Sequence, residues 1–363
     1  MLARKNVLRL KPYQPGKPIE EVERELGLRK VIKMASNENA LGPSEKAIKA
    51  IKNALSQLNR YPDGNCYYLK ERLAERLKVQ PSNLIIGNGS DELIVLAVRA
   101  FLNEGEEAVV ADRTFLIYKL AVTAQNGKVV SVPMKNFRYD LNRMKEAINK
   151  KTKIVFIANP DNPNGTYVTK KEVDEFLKGL PPDLILFFDE AYYEFVGDDS
   201  VKDYPDTMKY LRKRNLIITR TFSKVYGLSG LRVGYGISNP EMIDYMDRVR
   251  EPFNVNSLAQ VGALAALDDE GHLKRTLKLV SEGKEYIYNN LKRLGIRYVP
   301  SVTNFILIDV GQGSTQVFDR MLRLGVIVRD MKPWNMDNFI RVTVGTRNEN
   351  KRFIQALEQV LRS

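Results

Sequence analysis

From residue 83 onward the chain alternates two kinds of pattern. Short, largely apolar runs fall at residues 83–86, 108–111, 128–132, 153–157, 184–188, 216–219 and 232–237. Between most of them lie amphipathic stretches, as at 91–102, 141–149 and 170–177. Runs of Ile, Val, Leu and Phe without a polar face predict strands buried on both sides. The helical stretches between them predict the crossovers that join parallel strands. The expected fold class is α/β: a large, mostly parallel sheet covered by helices on both faces. In such sheets ligands gather at the C-terminal ends of the strands.

The pattern changes past residue 251. Long helical periods at 257–267 and 273–294 lead into short strands at 305–309, 326–328 and 339–344, then a last helix at 347–361. This predicts a second, smaller α+β domain. At the other end, Pro12, Pro15, Gly16 and Pro18 break structure before a short helix at 19–28. The expected organisation is an arm (1–35) packing with the small domain, a large domain (36–250) and a small C-terminal domain (251–363).

Composition narrows the function. A chain of 363 residues can bury two cores. No apolar run approaches membrane-spanning length, and the basic N-terminus lacks the apolar centre of a secretory signal, so no membrane association is expected. Cys66 is the only cysteine, which rules out an intramolecular disulfide and suits a cytoplasmic setting. His272 is the only histidine, so metal sites and histidine relays have almost nothing to work with. It lies in DDEGHLKR (268–275), near an expected helix start, and reads as structural or exposed. The formal charge of +13 is spread among acidic residues with no nucleic-acid-binding motif, which favours a small anionic substrate over a nucleic-acid partner.

The chemistry centres on TRTFSKVYGLSGLRVGY at residues 219–235. Lys224 follows an apolar strand, where poor solvation lowers a lysine's pKa and frees its amine as a nucleophile. Thr221, Ser223 and Arg232 are suited to a phosphate, and the glycines allow close backbone approach. The stretch resembles the lysine motif of the fold-type I pyridoxal-phosphate aminotransferases. A second phosphate element is NLIIGNGSDE (83–92), a strand, a glycine turn and a helix start. Gly89, Ser90 and Asp91 form its cradle, although Ser90 or Asp91 would equally serve as an ordinary helix cap.

Three further segments match the same family in order. In FFDEAY (187–192), Asp189 is placed to pair with a protonated pyridine nitrogen, and Tyr192 to donate to the ring's phenolate oxygen. In NPDNPNG (159–165), the resemblance makes Asn162 a second donor there, while Asn164 stands where the family has threonine. In RTFLIY (113–118), Phe115 matches the aromatic that stacks on the cofactor, with Tyr118 the competing choice and a core aromatic the plainer reading of either. The resemblance implies that Lys224 both holds the cofactor covalently and moves the substrate's α-proton.

The ends of the chain are more specific. LKPYQPGK (10–17), ASNENALGP (35–43), RYPD (60–63), GVIVRD (325–330) and IRVTVGTR (340–347) resemble the histidinol-phosphate aminotransferase family. The resemblance implies amino transfer between L-histidinol phosphate and L-glutamate/2-oxoglutarate, in L-histidine biosynthesis. Arg341 would take the substrate carboxylate and Arg329 the substrate phosphate, with Tyr13 and Asn39 in the same pocket. Arg347 has the plainer reading of a helix-start residue. Tyr61 would reach the neighbouring subunit's cofactor phosphate, which implies a homodimer with shared sites. Two enzymes of the same fold remain alternatives: an aromatic amino-acid aminotransferase and a threonine-phosphate decarboxylase.

Overall fold

A computed structural model describes residues 2–196 and 201–362. Its strands, among the described residues, are β1 (Ile32–Lys33), β2 (Leu84–Gly87), β3 (Glu107–Ala111), β4 (Lys128–Val132), β5 (Thr152–Ala158), β6 (Ile185–Asp189), β7 (Asn215–Thr221), β8 (Gly234–Ile237), β9 (Arg297–Val299), β10 (Phe305–Asp309), β11 (Val326–Ile327), β12 (Arg329–Asp330) and β13 (Phe339–Thr343). Seven form one sheet in the order β2-β8-β7-β6-β5-β3-β4. Every neighbouring pair is parallel except those made by β8, which runs antiparallel to β2 and β7. The chain is thus α/β with a large, mostly parallel mixed sheet.

The apolar runs explain the sheet. Every residue of β2 and β6 is buried, as helices cover both faces. β8 starts at Gly234, two residues later than the expected 232, because Arg232 takes a left-handed backbone (φ 55°) that ends the preceding turn. The stretch from 34 to 82, to which no element had been assigned, carries helices Glu45–Ala54 and Tyr67–Leu77.

Register decides where chemistry gathers. Ala158, Asp189 and Thr219 are successive partners across β5, β6 and β7. The turn after β5, the acid ending β6 and the lysine segment after β7 therefore leave the sheet at one edge. Beside them, Gly234 of β8 pairs with both Thr221 and Gly87. That brings the lysine segment against the start of helix Ser90–Phe101.

β9, β10, β12 and β13 form an antiparallel sheet in the order β12-β13-β10-β9, and within it Arg329 lies directly opposite Arg341. β1 pairs in parallel with β11, and Val22, Val31 and Ala35 pack on Leu322 and Ile327. Helix Glu270–Arg293 runs past both cores: Val280 belongs to the large one, Ile287 and Leu291 to the small. Its 24 residues span roughly 36 Å. No helix among the described residues is long and apolar enough to cross a membrane.

Candidate active site

A pocket of about 300 Å³ opens at that sheet edge, lined by segments far apart in sequence, including Tyr13, Ser36–Glu38, Ser90–Asp91, Phe115, Asn162, Asp189, Tyr192, Lys224, Arg232, Arg329 and Arg341. Lys224 Nζ donates to Ser36 O at 3.4 Å and forms no ion pair among the described residues. Burial, helped by the Arg341 charge, lowers its pKa from 10.5 to about 8. The strand-end position thus produces the poorly solvated amine that the apolar run implied.

Asp189 faces the same space. Burial raises its carboxyl to about 6, opposed first by the hydrogen bond from Tyr118 Oη to Oδ2 (2.6 Å). Ala191 N (3.1 Å) and Thr219 Oγ1 (3.4 Å) donate to Oδ1. A cation placed beside a buried acid lowers its pKa and favours the charged form. Tyr118 and Phe115 both line the pocket; Tyr118 is fully buried and bonded to the acid, and Phe115 lies edge-on to it at 5.7 Å.

Burial lifts Tyr192 to about 12, so its hydroxyl stays a donor at neutral pH, and that oxygen also accepts from Asn37 Nδ2 at 2.8 Å. Arg341 is buried. One Nη bonds Asn162 Oδ1, the other donates to Ala35 O at 2.8 Å, and Nε has no partner. Burial lowers its pKa to about 10. Arg329 donates to Gln14 O at 2.6 Å and, like Lys224, has no acid paired with it among the described residues.

At the phosphate end, Arg232 bonds Ser223 Oγ (3.3 Å) and reaches Asp91 only at 3.5 Å. Gly89 caps the helix with φ 82°, and a Cβ there would lie 2.6 Å from Arg232 Nη2. A Cβ on Gly234 would lie 2.6 Å from Ser90 N. Ser223 N donates to Thr221 Oγ1 at 3.1 Å. A weakly paired arginine, free helix-start N–H groups and backbone kept bare by glycine form an anion cradle. With the unpaired lysine and the acid beyond it, the donor set fits pyridoxal phosphate.

One expectation changes. Asn39 does not line the pocket. Its Nδ2 donates to Val225 O (2.8 Å) and Thr276 Oγ1 (3.0 Å), bracing the segment behind Lys224. The pocket residue is Asn37, whose left-handed backbone (φ 56°) breaks the alternation that would place 37 and 39 alike. Asparagine tolerates that conformation, but both positions are asparagine, so no sequence signal separated the two. Asn164 also turns away, onto Asp161 Oδ2 (2.5 Å) and Arg113 O (2.9 Å). Asp161, which the sequence reading passed over, is fully buried and lifted to about 7 by that burial.

The remaining expected residues sit outside the pocket. Tyr61 is 83% exposed and stacks on Phe253 at 4.8 Å. Arg347 is exposed at the first position of helix Arg347–Arg362. His272 is buried in the first turn of its helix, a structural position.

Comparison with known proteins places these features. A family model described as aminotransferase class I and II matches residues 29–357. The chain is 51% identical to a histidinol-phosphate aminotransferase of Moorella thermoacetica, over 99% of this chain and 92% of that one. It is 47% identical to histidinol-phosphate aminotransferase 2 of Carboxydothermus hydrogenoformans, over 99% of each. Among solved structures, the histidinol-phosphate aminotransferase of Sinorhizobium meliloti in complex with pyridoxal-5'-phosphate superposes with a TM-score of 0.91 at 30% identity, covering 99% of this chain and 98% of that one.

Proposed function

The chain belongs to the class I and II aminotransferases and, within them, to the histidinol-phosphate aminotransferases, and we propose that it moves an amino group between L-histidinol phosphate and 2-oxoglutarate, giving imidazole acetol phosphate and L-glutamate. The observation that carries this reading is the pairing of a depressed, unpaired lysine with two buried arginines that lack acid partners, all in one pocket. A substrate pair with either a phosphate or a second carboxylate needs two such cations.

Bound pyridoxal phosphate supplies an aldehyde for the substrate amine and a ring that draws electrons from the α-carbon. The protein's residues do the rest. Ser90, Thr221, Ser223 and Arg232, with the Gly89 turn and Asp91 at the helix start, hold the phosphate. Asp189, supported by Tyr118, keeps the ring nitrogen protonated. Tyr192 and Asn162 donate to the phenolate oxygen, and Phe115 covers the ring face. Lys224 would hold the cofactor through its amine and would take the proton from the substrate's α-carbon. Arg341 orients a carboxylate, while Arg329 and Tyr13 hold the phosphate.

In the same proposal the enzyme is a cytoplasmic homodimer, with Tyr61 serving the partner's site. Its exposure, beside exposed Tyr67, Tyr68, Leu55 and Leu58, supports a covered face in the assembly. The proposed division is the arm, residues 36–250 and residues 251–363, but Val255, Ala259, Ala263 and Leu267 pack in the large core, which moves the change of core into helix Glu270–Arg293.

The test is the cofactor's absorption during titration with amino donors. Conversion to the pyridoxamine form by L-histidinol phosphate and L-glutamate, with phenylalanine much weaker, supports the reading. Conversion by phenylalanine alone would move the enzyme to the aromatic class, and carbon dioxide release to the decarboxylases.

A further inference from the structure

Arg329 is a buried cation with no acid paired to it among the described residues; it donates to Gln14 O at 2.6 Å, and two aromatic rings flank it. Its guanidinium carbon lies 5.7 Å from the Tyr13 ring centre and 5.3 Å from that of Trp334. Arginine planes facing aromatic rings keep their charge while losing water and rotational freedom. The two rings are not equivalent. Tyr13 belongs to the N-terminal arm, is 42% exposed and lines the pocket. Trp334 is 2% exposed and does not reach the pocket.

Trp334 is held from several sides. It ends the short turn Lys332–Trp334 that follows β12, and packs among Val299, Leu307, Met331 and Met336. Its indole Nε1–H donates to Thr114 O at 2.9 Å. Thr114 immediately precedes Phe115, and its own hydroxyl donates to buried Asp161 at 2.7 Å. One rigid indole therefore touches the arginine on one side and the segment carrying the pocket's aromatic wall on the other.

We propose that Trp334 is a positioning residue: it fixes the plane of Arg329 toward the substrate's terminal phosphate, and so sets the preference for phosphorylated over unphosphorylated amino donors. This rests on the reading in which Arg329 takes that phosphate. A phosphate rewards a guanidinium presented as a fixed fork, because two parallel N–H bonds form at once. An arginine free to swing keeps its attraction but loses that geometry.

The test compares L-histidinol phosphate with L-histidinol, which differ only in the phosphate, as donors to the holoenzyme. The measured quantity is the half-saturating concentration of L-histidinol divided by that of L-histidinol phosphate. Trp334→Ala should cut that ratio about tenfold, a loss in the range of a desolvated cation–ring contact, with the effect in KM rather than kcat. Trp334→Phe, which keeps the ring face, should restore most of it.

Arg329→Gln separates the two levels of inference. If it loses discrimination while Trp334→Ala keeps it, the tryptophan proposal is wrong and the site reading stands. If Arg329→Gln itself keeps discrimination, the site reading fails and takes this proposal with it. Equal losses for both donors in Trp334→Ala would also overturn it.

Discussion

At the scale of single residues, burial does most of the chemical tuning. Lys224 falls to about 8 because its ammonium is poorly hydrated. We expect the cofactor-free protein to capture pyridoxal phosphate at a rate that rises through about pH 8, not through the 10.5 of a free lysine. Stopped-flow absorbance across pH checks this. The linkage has a definite sign. Between pH 8 and 10.5 the unfolded lysine holds a proton that the folded one has lost, so this group's contribution to stability grows as pH rises through that window.

Asp189 behaves in the opposite sense. Folded, it keeps its proton to about 6, against 3.8 when unfolded, so its contribution declines as pH rises from 3.8 to 6. Tyr118 opposes that shift. Tyr118→Phe should lower turnover about tenfold, the value of one hydrogen bond to a charged group, and move the acid limb of the pH–rate profile upward. The acid and the lysine were legible in sequence because each follows an apolar strand. The contact that tunes the acid was not, since Tyr118 reaches Asp189 across 71 positions. Asn39 illustrates the gap: one left-handed residue two places earlier turned it toward Thr276.

At the scale of elements, strand ends and glycines set the pocket's shape. The expected strands were found within a few residues because fully buried strands carry an unbroken apolar run. Helices Glu45–Ala54 and Tyr67–Leu77 were harder to read, since Lys, Asn and Tyr dilute their apolar stripes. Gly227 shows how tightly these elements meet. It adopts φ 69°, and a Cβ there would fall 2.2 Å from Gly42 O, on the loop that continues from Asn37. Gly227→Ala should cost about 1–3 kcal/mol through strain and crowding and displace the segment just after Lys224. A melting curve would record the first effect, and weaker cofactor retention the second.

At the scale of the whole molecule, the proposed dimer can be tested by complementation. Tyr61→Ala and Lys224→Ala chains should each be impaired alone. Mixed under conditions that exchange subunits, random pairing leaves about half hybrid dimers, each with one site carrying neither substitution. Recovered activity requires that Tyr61 serve the other chain; activity no higher than the average of the two parents would show that each site uses its own.

The facing of Arg329 and Arg341 across β12 and β13 has a last consequence. Like charges opposed on a sheet repel, and Arg329 is among the groups that depress Arg341. The ribbon therefore works as a caliper, with its two cationic jaws set by backbone register and not by flexible loops. A donor is gauged by how far its anionic end lies from its reacting carbon. Whatever spans the gap relieves the repulsion, so doubly anionic ligands should tighten the small sheet as well as occupy it.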